Sequence, residues 1–207
     1  MAGLLSNLRN TVIVALLLAA IFFIAYGFTG AYDFGLAYWQ AVARWSHVVA
    51  GVMWIGLLWY FNFVQIPTMP KIPDELKPAI GKHIAPQALF WFRWGAAATV
   101  LTGLIVIGLR QMAGSYGFLD VISFGILAEV YTPYYSFLGI GVWMALIMAF
   151  NVWFIIWPNQ KIALGLVEAE ADAKPKAART AMLFSRTNTL LSFPMLVTMA
   201  GAQTLFG

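Results

Sequence analysis

Five long apolar runs divide the chain, and polar or proline-rich segments separate them. A helix that crosses a bilayer needs roughly 20 mostly apolar residues. Runs of about that length occupy residues 11–28, 39–66, 86–109, 135–157 and 189–206. The pattern predicts an all-α integral membrane protein, a bundle of five transmembrane helices that forms one membrane domain over residues 1–207.

Three other segments of the chain are not predicted to span the membrane. Residues 117–130 are apolar but too short to span a bilayer, and they include Glu129. This run predicts a short helix that lies in the membrane interface. The segment from Pro67 to Ala85 contains four prolines, so we expect a stiff, extended crossing that breaks helix at several points. The charged segment from Gly165 to Thr180 predicts a solvated helix or linker.

Composition agrees with the membrane assignment. The chain is 62% hydrophobic and 10% charged, whereas soluble domains are about 45–50% apolar and about 25% charged. It contains no cysteine, which excludes thiolate zinc sites, iron–sulfur clusters and thioether-attached haem. The net charge of +4 indicates a partner only once the positions of the basic residues relative to the membrane are known. The predicted partner is the lipid bilayer and not a nucleic acid.

The basic residues fall mainly on one side of the predicted bundle. With five spans, Arg44 and Arg110 lie on one side, and Arg93 lies within a span. The other side receives Arg9, Lys71, Lys77, Lys82, Lys161, Lys174, Lys176, Arg179 and Arg186. By the positive-inside rule, the N-terminus is predicted to be cytoplasmic and the C-terminus outside. A six-span arrangement would move the last basic loop outside and weaken this asymmetry.

Small residues recur at helical spacing on two of the spans. In a bilayer, helices pack most closely where small side chains let their backbones approach. One stripe lies on the third span and one on the fourth, so we expect these two spans to pack tightly against each other. The stripes are Gly95, Thr99 and Gly103, and Gly141, Ala145 and Ala149.

Polar side chains collect at one depth, in the predicted cytoplasmic half of four spans. They are Asn62, Gln65, Gln87, Arg93, Asn151, Asn159, Gln160, Arg186 and Asn188. Because buried polar groups are costly in a membrane, such a cluster is a candidate ligand site. Arg93 and Arg186 would clamp an anion, and the amides would orient a purine, a quinone head group or haem propionates. Alternatively, these groups satisfy each other and the helix ends, and Arg93 extends to lipid phosphate.

Two histidines are candidate metal ligands. His47 shares a helix face with Gly51 and Trp54, an arrangement that leaves room for a flat ring. We therefore consider His47 a possible axial ligand of haem b, with Met199 as a weaker candidate partner at a comparable depth. The alternative is an interhelical hydrogen bond. His83 lies in a loop near the opposite membrane surface, so it cannot bind the same iron.

Several motifs resemble the membrane domain at the N-terminus of bacterial cytochrome-linked urate hydroxylases. Trp45, Ser46 and His47 begin the first motif, and Phe92, Arg93, Trp94 and Gly95 form the second. More specific are the run Asn151 to Lys161, which includes Trp157, Pro158, Asn159 and Gln160, and the run Ser185 to Leu196, which begins Ser185, Arg186, Thr187 and Asn188. The similarity extends from about Arg44 to Ala200.

The resemblance implies a helical membrane domain which, in full-length relatives, precedes a periplasmic c-type cytochrome. This sequence has no Cys-x-x-Cys-His motif, so the resemblance predicts that a separate cytochrome or other electron-transfer partner completes the system. It also implies the bacterial inner membrane, with the C-terminus periplasmic. The expected function is that of a redox-associated membrane protein. The alternative is a non-catalytic structural subunit of a larger respiratory or photosynthetic membrane complex.

Overall fold

The computed structural model describes residues 2–30, 32–170 and 172–206, and this part of the chain is helical with no strand. Five helices are long and apolar enough to cross a membrane. From the first to the fifth span they are Leu8–Phe28, Leu36–Lys71, Lys77–Met112, Pro133–Ala163 and Ala173–Phe206. The short helices Ala2–Leu5 and Phe118–Ile122 lie outside the spans. The prediction of an all-α, multi-pass membrane bundle is confirmed.

The helices are longer than the apolar runs that predicted them. The second span continues to Lys71, the third begins at Lys77, and the fifth begins at Ala173. The expectation of an extended crossing from Pro67 to Ala85 was wrong, because residues 72–76 alone separate the second and third spans. The hydrogen bonds of a helix are made by the backbone and do not require apolar side chains. A helix can therefore continue past the apolar run into polar sequence.

The predicted interfacial segment is a much shorter helix than expected. It spans Phe118–Ile122 and not residues 117–130, because Phe124 and Gly125 adopt positive φ angles of 58° and 83°, which end the helix. Val121 is fully buried, and the Trp143 indole N–H donates to the Ile122 carbonyl oxygen at 2.9 Å. This segment is therefore held on the fourth span.

Both small-residue stripes lie at contacts between spans, but these contacts do not join the predicted pair of spans. The second span packs along the third, and the fourth packs along the fifth. A Cβ at Gly95 would lie 3.2 Å from the Trp54 backbone nitrogen, and one at Gly141 would meet the Thr198 hydroxyl. The expected tight pairing of the third and fourth spans was wrong. Both observed pairs are consecutive in the chain, as is usual for neighbouring elements.

The core lies among the last four spans. Its fully buried side chains include Trp54, Leu58, Phe92 and Met148. The first span, by contrast, buries none of its residues. It meets the bundle near one end, where the Phe23 ring lies 6.0 Å from that of Trp45.

Candidate ligand cavity at one end of the bundle

Three spans contain a π-helical turn, and each such turn ends two residues before a proline. The turns are Tyr60–Gln65, Ile80–Ile84 and Asn151–Ile156, and the prolines are Pro67, Pro86 and Pro158. In each case the residue just before the proline donates its N–H to the carbonyl five residues back. The pairs are Ile66 to Phe61, Ala85 to Ile80, and Trp157 to Val152.

The prolines give a physical reason for the wider turns. A proline has no N–H, and its ring clashes with the carbonyl four residues earlier. Shifting the preceding hydrogen bond to a five-residue step relieves that crowding and widens the helix locally. The proline pattern predicted a helix break from Pro67 onward, and the π-helical turns were not predicted. The signal was a proline at the polar end of each of three apolar runs.

The three π-helical turns surround a cavity of about 160 Å³ between the second, third, fourth and fifth spans. We call it the amide cavity, and the end of the bundle that contains it the amide end. Its apolar wall includes Phe61, Ile80, Leu89, Phe92 and Ile156, and its polar lining consists of Gln65, Gln160 and Ser185. An apolar cavity of about 150 Å³ accommodates one benzene ring, so the amide cavity suits a small planar ligand.

Two carbonyl oxygens near this cavity have no hydrogen-bond partner within the described part of the chain. They are the buried Oε1 of Gln65 and Oδ1 of Asn62. The Asn62 amide nitrogen, in contrast, donates to the Leu58 carbonyl at 2.9 Å and to the Ser185 hydroxyl at 2.7 Å. An unsatisfied buried acceptor costs roughly 1–3 kcal/mol. A ligand or water that supplies N–H or O–H donors at these atoms would offset that cost.

Asn151 and Asn188 form a separate, buried bridge between the fourth and fifth spans. The Asn151 amide donates to the Asn188 carbonyl oxygen at 2.8 Å, and the Asn188 amide donates to the Met148 backbone oxygen at 2.9 Å. Neither residue lines the amide cavity. Their geometry is that of helix-to-helix bonding, the alternative that the sequence left open.

The remaining members of the predicted polar cluster lie outside the cavity lining. The Arg93 guanidinium stacks on the Trp157 ring, 3.3 Å from its centroid, and its buried Nη1 has no partner among the described residues. Arg186 is exposed on the fifth span, and Asn159 donates to the Ile155 carbonyl of its own helix. The structure therefore does not bring Arg93 and Arg186 together on the amide cavity.

His47 contacts the third span through its Nδ1. This atom lies 2.9 Å from the Thr99 backbone oxygen, which corresponds to the predicted interhelical hydrogen bond. Beside Gly51 the third span comes into ordinary contact distance, because a Cβ there would lie 3.9 Å from the Thr99 methyl group. Met199 packs instead beside Gly141 of the fourth span. His47 does not line the amide cavity, and haem b ligation by His47 and Met199 stays a prediction.

The fold and the cavity define the class of the protein: an all-α, multi-pass membrane protein with a ligand-sized cavity among four of its spans. Residues 109–204 match the family model described as urate oxidase N-terminal. This confirms the resemblance over that range, which contains the Trp157–Gln160 and Ser185–Asn188 motifs but not His47. No curated protein and no solved structure matches the chain.

Proposed function

We propose that this chain is a redox-associated membrane protein that binds a small planar ligand in the amide cavity and works with a separate cytochrome or other electron-transfer partner. Two facts support the proposal. Residues 109–204 match the urate oxidase N-terminal family, and the amide cavity lies where that matched range meets the second and third spans.

The polar atoms of the cavity favour a heterocycle with N–H groups. Gln65 presents a buried carbonyl oxygen without a partner in the described chain, and such an acceptor pairs with a ring N–H. A purine such as urate has these donors and a planar ring system that can lie against an apolar wall. A quinone head group has carbonyl oxygens instead, and it would require the amide groups of Gln65 or Gln160 to donate. The match of residues 109–204 to the urate oxidase N-terminal family makes the purine class the first choice.

Filling the cavity tests this proposal. We expect Gly81→Leu to weaken urate binding by at least about tenfold, roughly 1.4 kcal/mol, because the new side chain enters the space the ligand needs. A Cβ at Gly81 would lie 3.8 Å from the Leu164 side chain, an ordinary contact, so the backbone does not have to move. The measurement is calorimetric titration of the purified protein with urate and, separately, with a short-chain quinone.

Gly56→Leu is the matched control. Gly56 is exposed on the second span, and a Cβ there meets nothing within 4 Å, so binding should be unchanged. Equal affinity for urate in wild type and Gly81→Leu would contradict the cavity as the site. Binding of the quinone alone, lost in Gly81→Leu, would replace the purine by the quinone class.

A second candidate function is that of a non-catalytic structural subunit in a larger respiratory or photosynthetic membrane complex. The observation that favours it is the first span, which buries none of its residues against the described chain. A helix of this kind presents most of its surface to lipid or to another membrane protein. Co-purification with redox subunits in mild detergent, together with no binding of urate or quinone, would favour this function over the first.

We also propose that the protein lies in the bacterial inner membrane with the amide end facing the cytoplasm. The observed span boundaries support this orientation. The connections at residues 72–76 and 164–172 adjoin the amide end, and most basic residues lie in or beside them. The opposite end has Arg44 and Arg110 as its basic residues.

A further inference from the structure

Two arginines lie at the end of the bundle opposite the amide cavity. Arg44 lies near the start of the second span and Arg110 near the end of the third. The Gln40 amide, one helical turn before Arg44, donates to the carbonyl oxygen of Leu109 at 2.9 Å. Arg44 Nη1 donates to the Gln203 side-chain oxygen of the fifth span at 2.8 Å. We call this region, with Gln203, Arg44 and Arg110, the arginine end.

Neither guanidinium has an anionic partner in the described part of the chain. Both arginines are half-buried, and each has a buried Nε without a hydrogen-bond partner. The salt bridges among the described residues lie elsewhere, between Lys77 and Asp74 and between Lys176 and Asp172. A partly buried, unpaired charge is unfavourable, and a bound counter-ion relieves that cost.

A buried tyrosine adds a neutral donor to the same region. Tyr116, in the segment after the third span, is 6% exposed, and its hydroxyl accepts a hydrogen bond from Tyr134 at 3.1 Å. Burial raises the pKa of Tyr116, and the bond from Tyr134 adds to this effect, while the positive charges of Arg110 and Arg44 oppose it. Tyr116 therefore stays protonated and keeps its own O–H as a donor.

The nearest carboxylate in sequence does not neutralise this charge. Asp120 Oδ2 accepts the Gly117 N–H at 2.7 Å, at the start of the Phe118–Ile122 helix. No salt bridge among the described residues joins Asp120 to Arg44 or Arg110, so the two cations and the neutral phenol of Tyr116 remain available to an anion. This set attracts an anion and repels a cation.

We propose that the arginine end binds an anionic phosphate group between Arg44 and Arg110. The planar fork of a guanidinium matches the oxygens of a phosphate. Both arginines also lie near the ends of their spans, where long basic side chains extend to the membrane interface. The phosphate comes either from a phospholipid head group or from free inorganic phosphate. This site is separate from the amide cavity and does not depend on the proposed function.

Binding measurements on the full chain test the proposal. The protein is purified in an uncharged detergent and titrated in one arm with inorganic phosphate and in another with short-chain phosphatidylglycerol. Native mass spectrometry and thermal unfolding report binding. We expect saturable binding of one phosphate group per chain, weakened at least about tenfold in the Arg44→Gln, Arg110→Gln double variant, because two charge-assisted pairs are lost.

Two further variants make the result specific. Arg179→Gln removes one charge from an exposed position near the other end and should bind as wild type does. Arg44→Lys, Arg110→Lys keeps the charge without the planar fork, so it should bind more weakly than wild type but better than the glutamine variant.

The two arms identify the source of the phosphate. Binding in both arms indicates a phosphate site that accepts either source, and binding of the lipid alone indicates a head-group site. Equal binding by wild type and the folded glutamine variant would overturn the proposal, as would no binding in either arm. Size-exclusion chromatography and circular dichroism establish that the variants are folded.

Discussion

At the scale of single residues, the polar side chains inside the spans differ in whether the protein itself satisfies them. Asn188 is completely buried and uses both ends of its amide, toward Asn151 and toward the Met148 backbone. Gln65 is also in a span, but its carbonyl oxygen is buried without a partner in the described chain. The first pattern stabilises helix packing, and the second is the basis of the proposed ligand site.

His47 is the residue whose role a single substitution can define. We expect His47→Ala to lower the unfolding temperature, because the bond to the Thr99 carbonyl joins the second and third spans. Interhelical hydrogen bonds in membrane proteins contribute about 0.6 kcal/mol on average and up to about 1.7 kcal/mol. The measurement is thermal unfolding in detergent. Thr187→Ala is the control, because the Thr187 hydroxyl bonds within its own helix and is exposed.

Absorption spectra of the same samples test the haem prediction. A Soret band in wild type that disappears in His47→Ala would show that this histidine is a haem ligand. The same band in both proteins would rule His47 out as the ligand. Unchanged stability in His47→Ala would contradict the role of the hydrogen bond.

At the scale of helices, prolines and glycines have the largest effects. Pro67, Pro86 and Pro158 do not end their helices, and a π-helical turn precedes each of them. The turns lie at the same end of three spans and together form the wall of the amide cavity. The glycine stripes determine how closely neighbouring spans approach. Their positions were readable in the sequence, but the helix that each stripe faces was not.

The contact at Gly95 can be tested against another glycine of the same span. We expect Gly95→Leu to destabilise the protein by about 1–3 kcal/mol, the usual range for overpacking, because its side chain would meet the Trp54 backbone. At Gly108 a Cβ meets nothing within 4 Å, so Gly108→Leu should unfold as wild type does. Thermal or denaturant unfolding in detergent provides the measurement. Equal destabilisation by both variants would contradict the assigned packing.

At the scale of the whole molecule, the two ends of the bundle have different chemistry. One end contains the amide cavity and adjoins most of the basic residues, and the other contains Arg44 and Arg110 with Tyr116 and Tyr134. Arg44 and Gln65 are 21 residues apart on one continuous helix, about 31 Å at roughly 1.5 Å per residue. A ligand in the cavity and a phosphate at the arginine end would therefore occupy opposite membrane surfaces.

The proposed orientation predicts which loops are accessible from outside the cell. The sequence contains no cysteine, so single cysteines can be introduced without background. In intact cells, a membrane-impermeant maleimide should label Ser115→Cys and should label Glu168→Cys only after the membrane is opened. Both positions are exposed in connecting segments. The reverse labelling pattern would overturn the orientation, and labelling of both in intact cells would contradict an odd number of spans between them.

The sequence by itself determined the number of spans, their approximate positions and the family resemblance, because each depends on local composition and motifs. It also identified Gln65 and Gln160 as candidate site residues. It did not determine which spans pair, because a glycine stripe is complementary to any close-packing helix. It did not separate Asn151 and Asn188 from the cavity or show that Arg44 bonds to Gln203 of the fifth span. Those features depend on how helices rotate and cross, which only the packed tertiary structure decides.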